Sequence, residues 1–310
     1  MPWIKKGKIY KPDGSLDWSV SHAQIPVPML INDNKLRIYF STRDELGRSQ
    51  PTFIEVKINK PEEILYIHDK PLWEFGPRGT FDDNGIMPAS WIQEDNNIIM
   101  FYVGWNRQVT TAYHLSAGAV FSQDGGVTFN KYHNGPIFDR DLVDPIWSTI
   151  PCVIKEGNKY RAWYISCTNW KDINGKFEPV YHVKYAESDN IFQWIKTNNV
   201  CIDYKYDGEA IGRPWVIYED DIYKMWYSTR GSIGYRSHDG QHYQIGYAES
   251  SNGLHWRRLD HLAVIEGSVG DWDKEMNCYA SVFKYEGKKY LLYNGNGFGR
   301  DGFGYAIWQD

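Results

Sequence analysis

Two charged residues stand four positions apart at the start of an apolar run. The stretch "YDGEAIGRPWV" contains Glu209 and Arg213, and "PWVIY" continues as a buried strand would. A buried carboxylate is costly unless it is paired or used in chemistry, so Glu209 is expected to have a partner or a role in a reaction. Residues four apart on a strand share a face. Arg213 would therefore either bind an anionic substrate group or form one half of an internal salt bridge.

Five tyrosines give the chain a repeat against which such residues can be placed. Successive tyrosines are separated by 63, 62, 63 and 66 residues. They lie in the stretches "RIYFSTR", "IMFYVGW", "RAWYISC", "KMWYSTR" and "YLLYNGN", as Tyr39, Tyr102, Tyr164, Tyr227 and Tyr293. Self-similarity at a fixed period is typical of repeat architectures, and we number the repeats one to five by these tyrosines.

Repeats two to five carry a carboxylate at a comparable distance before the tyrosine. Glu209 and Glu275 precede theirs by 18 residues, Asp83 by 19 and Asp144 by 20. If these side chains meet, they raise one another's pKa values, and one acid can stay protonated beside an ionised partner. Glycoside hydrolysis needs such a pair. The alternative at each position is a polar residue that caps a turn.

Repeat one departs from this pattern, because His22 and Gln24 occupy the region where the other repeats have a carboxylate. Other polar and aromatic residues follow the tyrosine stretches or flank the same loops. The candidates for substrate binding are His22, Gln24, Arg43, Trp105, Trp147, Arg213, Arg230, Asn294, Asn296 and Arg300. Asn and Arg residues of this set would be offered to a ligand at the rim of a funnel.

Two segments of the sequence are expected to form loops. The glycine-rich "YNGNGFGRDGFG" is not a phosphate loop, because no strand-to-helix context surrounds it. The segment 169–182 is long for a hairpin connection, which is typical of a lid. Its Trp170 and Phe177 would either stack on a ligand or pack within the loop.

The elements that position these residues are strands. Each tyrosine stretch follows another strand and a polar turn, and precedes a third strand and an outer fourth one. The pattern predicts an all-β, five-bladed β-propeller with four-stranded antiparallel blades, formed as one domain over residues 1–310. The N-terminal "WIKKGKIY" would close the ring by completing the last blade. In "SQDGGVTF", Asp124 would bind backbone amides and Phe129 would pack beneath the turn.

The amino-acid composition limits which partners and which cellular location we expect for the protein. A net charge of −5 and a pI near 6.0 give no reason to expect nucleic acid. No apolar run is long enough for a signal peptide or a membrane span, and we expect a cytoplasmic protein that is a monomer or a weak homo-oligomer. The four cysteines form no C-x-x-C pair, which disfavours a zinc or redox motif. Three of them lie in strand-like runs, where we expect buried free thiols. The 14 Trp and 23 Tyr fit an aromatic β core, a sugar-stacking surface, or both.

These features resemble the five-bladed glycoside hydrolase superfamily of families 32, 43, 62, 68 and 130. The full length is more similar to glycosyl hydrolase-like propellers found among bacterial surface-polysaccharide genes. The phrases that carry the resemblance are "SHAQIPVP", "FSTRDELGRSQP", "GTFDDNGIMPAS", "VKYAESD", "WDKEMNCYASVF" and "YNGNGFGRDGFGYA".

The resemblance implies roles for some of the carboxylates. Glu209 matches the acid of family 43, and Asp144 matches the aspartate that tunes its pKa. The family's base is an aspartate in blade one, where this chain has His22, so Asp83 or Glu275 would have to replace it. No cofactor is demanded and no metal ligand is assigned, although some relatives hold an axial ion, and its presence is left open.

Three functions remain open from the sequence. The first is a glycoside hydrolase-like enzyme that uses carboxylates as acid and base on a glycan or sugar conjugate. The second is a phosphorylase or transferase whose arginines hold a sugar phosphate or nucleotide sugar. The third is a non-catalytic carbohydrate-binding propeller. A cytoplasmic location would fit polysaccharide biosynthesis better than degradation.

Overall fold

The computed structural model of the chain describes residues 2–237, 240–267 and 270–309, and these residues form an almost purely β structure. Two short helical turns occur, a 3-10 turn at Asp260–Leu262 and α1 at Asn296–Gly299. The strands are β1 Trp3–Tyr10, β2 Ser21–Asn32, β3 Lys35–Arg43, β4 Ser49–Lys57, β5 Lys60–Ile67, β6 Gly85–Glu94, β7 Asn97–Arg107, β8 Tyr113–Ser122, β9 Asn130–Lys131, β10 Trp147–Glu156, β11 Lys159–Ile173, β12 Lys176–Ser188, β13 Ile195–Ile202, β14 Ala210–Glu219, β15 Ile222–Arg230, β16 Gln244–Ser250, β17 Arg257–Arg258, β18 Ile265–Glu266, β19 Cys278–Tyr285, β20 Lys288–Asn294 and β21 Phe303–Trp308.

The strands pair in chain order within each repeat. Repeats three and four form the four-stranded sheets β10-β11-β12-β13 and β14-β15-β16-β17. Repeat one is β2-β3-β4-β5 and repeat two is β6-β7-β8-β9, and one parallel pair between Ser49 and Gly85 joins these two sheets. Repeat five is β19-β20-β21, to which the N-terminal β1 adds as an antiparallel neighbour of β21. We refer to β2, β6, β10, β14 and β19 as the inner strands.

The repeated tyrosines lie at equivalent places on β3, β7, β11, β15 and β20, and all five are fully buried. Apolar clusters fill the spaces between successive repeats. One cluster packs Ile38 and Phe40 of repeat one against Tyr290 and Leu292 of repeat five, so the two ends of the chain share a core. Each buried side chain of this size contributes roughly 1.5–3 kcal/mol through removal of apolar surface from water.

The sequence predicts a turn at Asp124 and a loop within residues 169–182. Asp124 accepts hydrogen bonds from the backbone N–H groups of Val127 and Thr128, and Phe129 is buried, which confirms the predicted turn. The predicted loop over 169–182 is wrong, since β11 and β12 continue as a long hairpin to a turn at Asn174 and Gly175. Both turn residues have positive φ, as the tightest hairpin connections require.

Other expectations concern thiols and membrane spans. All four cysteines are free and buried, which confirms the prediction made for three of them. Within the described ranges, the helical segments are too short and too polar to cross a bilayer.

Candidate functional site

Every inner strand contains one extra residue at the same point of its pairing with the next strand. In repeat four, Gly212 pairs with Ser228 and Trp215 with Trp226, so three steps on β14 oppose two on β15. The same shift lies between Gln24 and Val27, Pro88 and Ser90, Thr149 and Cys152, and Cys278 and Ser281. Such β-bulges re-aim side chains and are frequent beside active sites.

The bulges hold three non-glycine residues in the left-handed backbone region. Ile25, Arg213 and Tyr279 have φ values of 57°, 51° and 57°, and each lies 14 residues before its repeated tyrosine. This conformation costs on the order of 1–3 kcal/mol and persists only where surrounding contacts impose it. Neighbouring repeats supply those contacts, because Asn294 Oδ1 accepts the Ile25 N–H at 2.7 Å and Ser228 Oγ accepts the Tyr279 N–H at 2.8 Å.

The bulged residues border a cavity of about 360 Å³ that all five inner strands line. We call it the inner-strand cavity. Its lining consists of Gln24, Ile25, Arg43, Met87, Val103, Trp105, Tyr113, Leu115, Trp147, Thr149, Pro151, Ile165, Tyr181, Gly212, Arg213, Tyr235, Arg236, Tyr243, Tyr279 and Phe298. The predicted binding residues Gln24, Arg43, Trp105, Trp147 and Arg213 are therefore brought together. The lining includes three arginines and, across the described chain, no aspartate or glutamate.

Arg213 is a buried cation without a carboxylate partner in the part of the chain that the structure describes. Only 3% of the residue is exposed, and its Nη1 makes long contacts of 3.4 Å to the carbonyls of Pro151 and Pro214. Nε and Nη2 are buried without a hydrogen-bond partner. Burial lowers the pKa of Arg213 to about 10, so the guanidinium stays charged at neutral pH. Of the two alternatives for Arg213, the internal salt bridge does not form with the described residues, and the nearby Glu209 pairs with Arg258.

Arg43 adds a second cation to the same lining. It donates Nε–H to Gln24 Oε1 at 2.9 Å, and with the described residues its two Nη groups form no hydrogen bond.

Burial, reinforced by Arg43 and Arg300, lowers the pKa of His22 to about 3. His22 is therefore neutral at physiological pH and lies beside the cavity rather than among its lining residues.

Aromatic rings form much of the remaining wall. Tyr181 and Tyr243 contact each other through their hydroxyl groups, and the Tyr243 ring lies 5.7 Å from that of Tyr279. Behind them, the buried Arg230 stacks its guanidinium on Tyr235 at 3.6 Å and donates to the Gly231 and Pro179 carbonyls. Arg230 therefore supports the tyrosine wall and is not one of the lining residues.

The predicted meeting of four carboxylates in one site does not occur, as Asp144 and Glu209 show. Asp144 lines a separate cavity, where it binds Lys184 Nζ at 2.8 Å and Tyr164 Oη at 2.8 Å. Glu209 accepts hydrogen bonds from Arg258 and from Thr229. Burial alone raises both pKa values, but these bonds hold both below their ordinary range. Both groups are ionised at neutral pH, which disfavours Glu209 as a general acid.

Asp83 and Glu275 lie close in sequence to the carboxylates that the tyrosines bind. Tyr102 donates to Asp82 at 3.0 Å and Tyr293 donates to Asp273 at 2.6 Å, each across 20 residues of chain. Lysines from outer strands complete these contacts, Lys131 at Asp82 and Lys5 at Asp273. Asp83 instead caps the turn at Gly79, and the Glu275 N–H is bound by Asn296. Asp82 and Asp273, like Asp144, thus bind the repeated tyrosine of their own repeat.

Three other predicted ligand-binding residues have structural partners. Asn294 uses its amide on the Ile25 N–H and on the Ala23 and Gly302 carbonyls. Asn296 accepts from Glu275 and Met276 and donates to the Asp271 carbonyl. Arg300 pairs with its neighbour Asp301 at 3.0 Å. The prediction that both asparagines are offered to a ligand is wrong, because backbone groups occupy them.

Several lining residues were not predicted from the sequence, notably Tyr113, Tyr181, Tyr243 and Tyr279. For Tyr279 a signal exists, since it occupies the same position relative to its repeated tyrosine as Arg213 does. The other three become neighbours only when the third strands are placed side by side. In the described ranges, no three His, Cys, Asp or Glu side chains are grouped as a metal ion would require.

Comparison with solved structures defines the class of fold. A glycosyl hydrolase from Bacteroides ovatus is similar with a TM-score of 0.70 and 15% identity, over 99% of this chain and 93% of the other. A structure described under "The GH130 family of mannoside phosphorylases contains glycoside hydrolases that target beta-1,2 mannosidic linkages in Candida mannan" gives a TM-score of 0.67 at 14% identity, over 99% and 93% of the two chains. The fold is that of the propeller-type glycoside hydrolases, which include families 32, 43 and 130.

Sequence comparison identifies a narrower group. No family model matches the chain. The uncharacterized protein Rv1502 of Mycobacterium tuberculosis is 36% identical over 311 residues, covering 100% of both chains. The chain therefore belongs to the family of this mycobacterial protein.

Proposed function

We propose that this protein is glycoside hydrolase-like and acts on a negatively charged sugar, a sugar phosphate or nucleotide sugar, in the inner-strand cavity. One observation carries the proposal: Arg213 and Arg43 line a cavity in which, over the described residues, no carboxylate neutralises them. A buried guanidinium without a counter-ion is costly. An anionic ligand would supply the missing charge and accept the hydrogen bonds that Arg43 Nη groups leave unused.

The walls of the cavity support a sugar as the rest of the ligand. Trp105, Trp147 and the tyrosines offer large apolar faces, and the arginines offer directed donors at a few points. This combination of apolar walls and few polar groups is usual for small-molecule sites. The fold supports the same ligand class, because the solved structures of similar fold include glycoside hydrolases and the GH130 group.

The reaction type that fits this lining best is phosphorolysis or transfer. Hydrolysis by two carboxylates would need Glu209 or Asp144 in the cavity, and both are engaged elsewhere. In phosphorolysis, a phosphate oxygen forms the new bond to the anomeric carbon as the glycosidic C–O bond breaks, and the proton of the attacking hydrogen phosphate passes to the leaving oxygen. Arginines can hold the phosphate and stabilise its charge through that step.

We also propose that the five repeats form one domain, a ring of five blades closed by β1. The pairing of β1 with β21 and the shared core of repeats one and five support this arrangement. So do the hydrogen bonds that link successive repeats, including the one from Ile25 in repeat one to Asn294 in repeat five.

Binding measurements test the proposed function. Calorimetry with hexose 1-phosphates, nucleotide sugars and the matching neutral sugars should show that the charged members bind at least about tenfold more tightly, because hydrogen bonds to charged groups are strong. Arg213→Gln and Arg43→Gln should remove that preference. Arg257→Gln is the matched control, since Arg257 is exposed on β17. Equal binding of charged and neutral sugars would contradict the proposal.

Activity measurements then distinguish an enzyme from a protein that only binds the sugar. Aryl glycosides should be cleaved only when inorganic phosphate is added, or sugar should be transferred from a nucleotide sugar to an acceptor. Tight binding of the charged sugar without turnover in either assay would indicate a non-catalytic binding protein. Cleavage that is independent of phosphate and abolished by Glu209→Gln would favour hydrolysis.

A further inference from the structure

Tyr279 stands out among the lining residues because its backbone is strained. It has a φ of 57° and occupies the bulge of β19, at the position that Arg213 occupies in β14. Tyrosine gains nothing from this conformation, whereas asparagine and glycine tolerate it. Ser228 of the preceding repeat fixes the Tyr279 N–H at 2.8 Å. Strain of this kind is concentrated at sites where a side chain must hold a particular position.

Tyr279 lines the same cavity as Arg43 and Arg213. Its phenol has no hydrogen bond to any described residue. Burial raises the pKa of Tyr279 itself well above its ordinary value. The hydroxyl therefore remains a proton donor at every pH at which the protein is used. A donor that borders a cavity without a partner is available to a ligand.

The five bulge positions differ in what they offer to a ligand. The residues 14 before the repeated tyrosines are Ile25, Pro88, Ile150, Arg213 and Tyr279. Ile25, Pro88 and Ile150 bring only apolar atoms from their side chains. Arg213 and Tyr279 are the two with polar groups, and they belong to adjacent repeats. A charged ligand in the cavity would meet both.

We propose that Tyr279 is a specificity-determining residue whose phenol donates a hydrogen bond to the anionic group of the ligand, beside Arg43 and Arg213. The inference rests on the proposed function, because it assumes that the cavity binds a charged sugar. It adds a neutral donor to the two cations, and so assigns the anion to the part of the cavity that Arg43, Arg213 and Tyr279 line. A purely structural role for Tyr279 would need its ring, which packs beside Tyr243, but not its hydroxyl.

Tyr279→Phe separates the hydroxyl from the ring. Calorimetry with a hexose 1-phosphate should show binding about tenfold or more weaker than in the wild type, and affinity for the neutral hexose should be unchanged. The matched control is Tyr218→Phe, which removes a hydroxyl from a residue that is 54% exposed. Tyr279→Asn serves as a second variant, because asparagine tolerates the left-handed backbone and lacks the phenol.

The outcomes distinguish the two proposals. If both Tyr279 variants fold and bind the hexose phosphate as tightly as the wild type, the assignment of Tyr279 is overturned and the proposed function stands. If the variants weaken the charged and neutral sugars equally, the hydroxyl does not determine specificity and the assignment is also overturned. If the wild type shows no preference for the charged sugar, the proposed function fails and the assignment fails with it.

Discussion

Asn294 Oδ1 accepts the backbone N–H of Ile25 at 2.7 Å, which connects residues 269 positions apart in the chain. The same side chain donates to the carbonyls of Ala23 and Gly302. One buried amide thus holds the bulge of β2 and the loop before β21 together. These backbone groups are buried, so removal of the Asn294 amide would leave them without hydrogen bonds and would destabilise the fold.

Asn294→Ala should lower the free energy of unfolding by about 2–4 kcal/mol, because it leaves buried backbone groups without partners. Urea denaturation followed by tryptophan fluorescence measures the change. Asn134→Ala is the control, since Asn134 is exposed. A loss as small as that of the control would mean that Asn294 does not hold the two ends of the fold together.

Asp82 and Asp83 are adjacent residues with different expected effects. Asp82 is fully buried and binds Tyr102 and Lys131, so Asp82→Asn should cost roughly 3–5 kcal/mol of stability, as expected for a broken buried ion pair. Asp83→Asn should change stability by only about 0.5 kcal/mol. Thermal and urea unfolding of the two variants check this difference. Equal destabilisation would contradict the division between them, and lost turnover in a stable Asp83→Asn protein would restore Asp83 as a catalytic candidate.

Stability should depend on acid pH through Asp144. Hydrogen bonds from Lys184, Ser166 and Tyr164 outweigh burial and hold the folded-state pKa of Asp144 below its ordinary value of 3.8. Such a carboxylate stabilises the fold above that ordinary value and loses its contribution as pH falls through the folded-state pKa. As the pH is lowered below about 4, the urea concentration at the unfolding midpoint of the wild type should therefore decrease. The midpoint of Asp144→Asn should decrease less over the same pH range.

The control for this pH series is Asp189→Asn, because the Asp189 side chain is 79% exposed. It should follow the wild-type curve. An Asp144→Asn curve with the same acid dependence as the wild type would show that Asp144 is not one of the groups responsible.

Trp3 tests the closure of the sheet by the N-terminal strand. It is fully buried, and its ring centroid lies 6.1 Å from Trp226 and 5.2 Å from Trp308. Trp3→Ala should cost about 3–5 kcal/mol, as deletion of a large core side chain usually does. Phe177→Ala, at a residue that is 49% exposed, is the control for a lost aromatic ring. Unfolding at an unchanged denaturant midpoint would show that β1 contributes little to the fold.

The strands were predictable from the sequence because the signal repeats. Tyr39 and its four counterparts mark the second strand of each repeat, and the polar turns beside them mark the hairpins. The sequence did not show which carboxylate of repeat two is structural. Asp82 and Asp83 are neighbours at nearly the same distance before Tyr102, so counting along the chain does not separate them. Only the three-dimensional structure shows that Asp82, and not Asp83, accepts the hydrogen bond of Tyr102.

The cavity itself was only half predictable. Arg213 and Trp147 were found because charged or large residues at inner-strand starts are unusual in sequence. Tyr181 and Tyr243 lie 62 residues apart on different repeats and come together only through the packing of their sheets. The left-handed backbone at Ile25 leaves no local sequence signal at all, because isoleucine ordinarily disfavours it.

The recurrent bulge has a consequence for how this family can diversify. The bulges at Ile25 and Tyr279 are held through their backbone N–H groups by side chains of neighbouring repeats, so the side chains at these positions can change without altering those bonds. The three bulge positions that line the cavity form a short code, which in this chain spells Ile, Arg, Tyr. Relatives with the same frame and a different code at these places should prefer differently charged ligands. Evolution of new recognition on this scaffold would then require substitutions at very few sites.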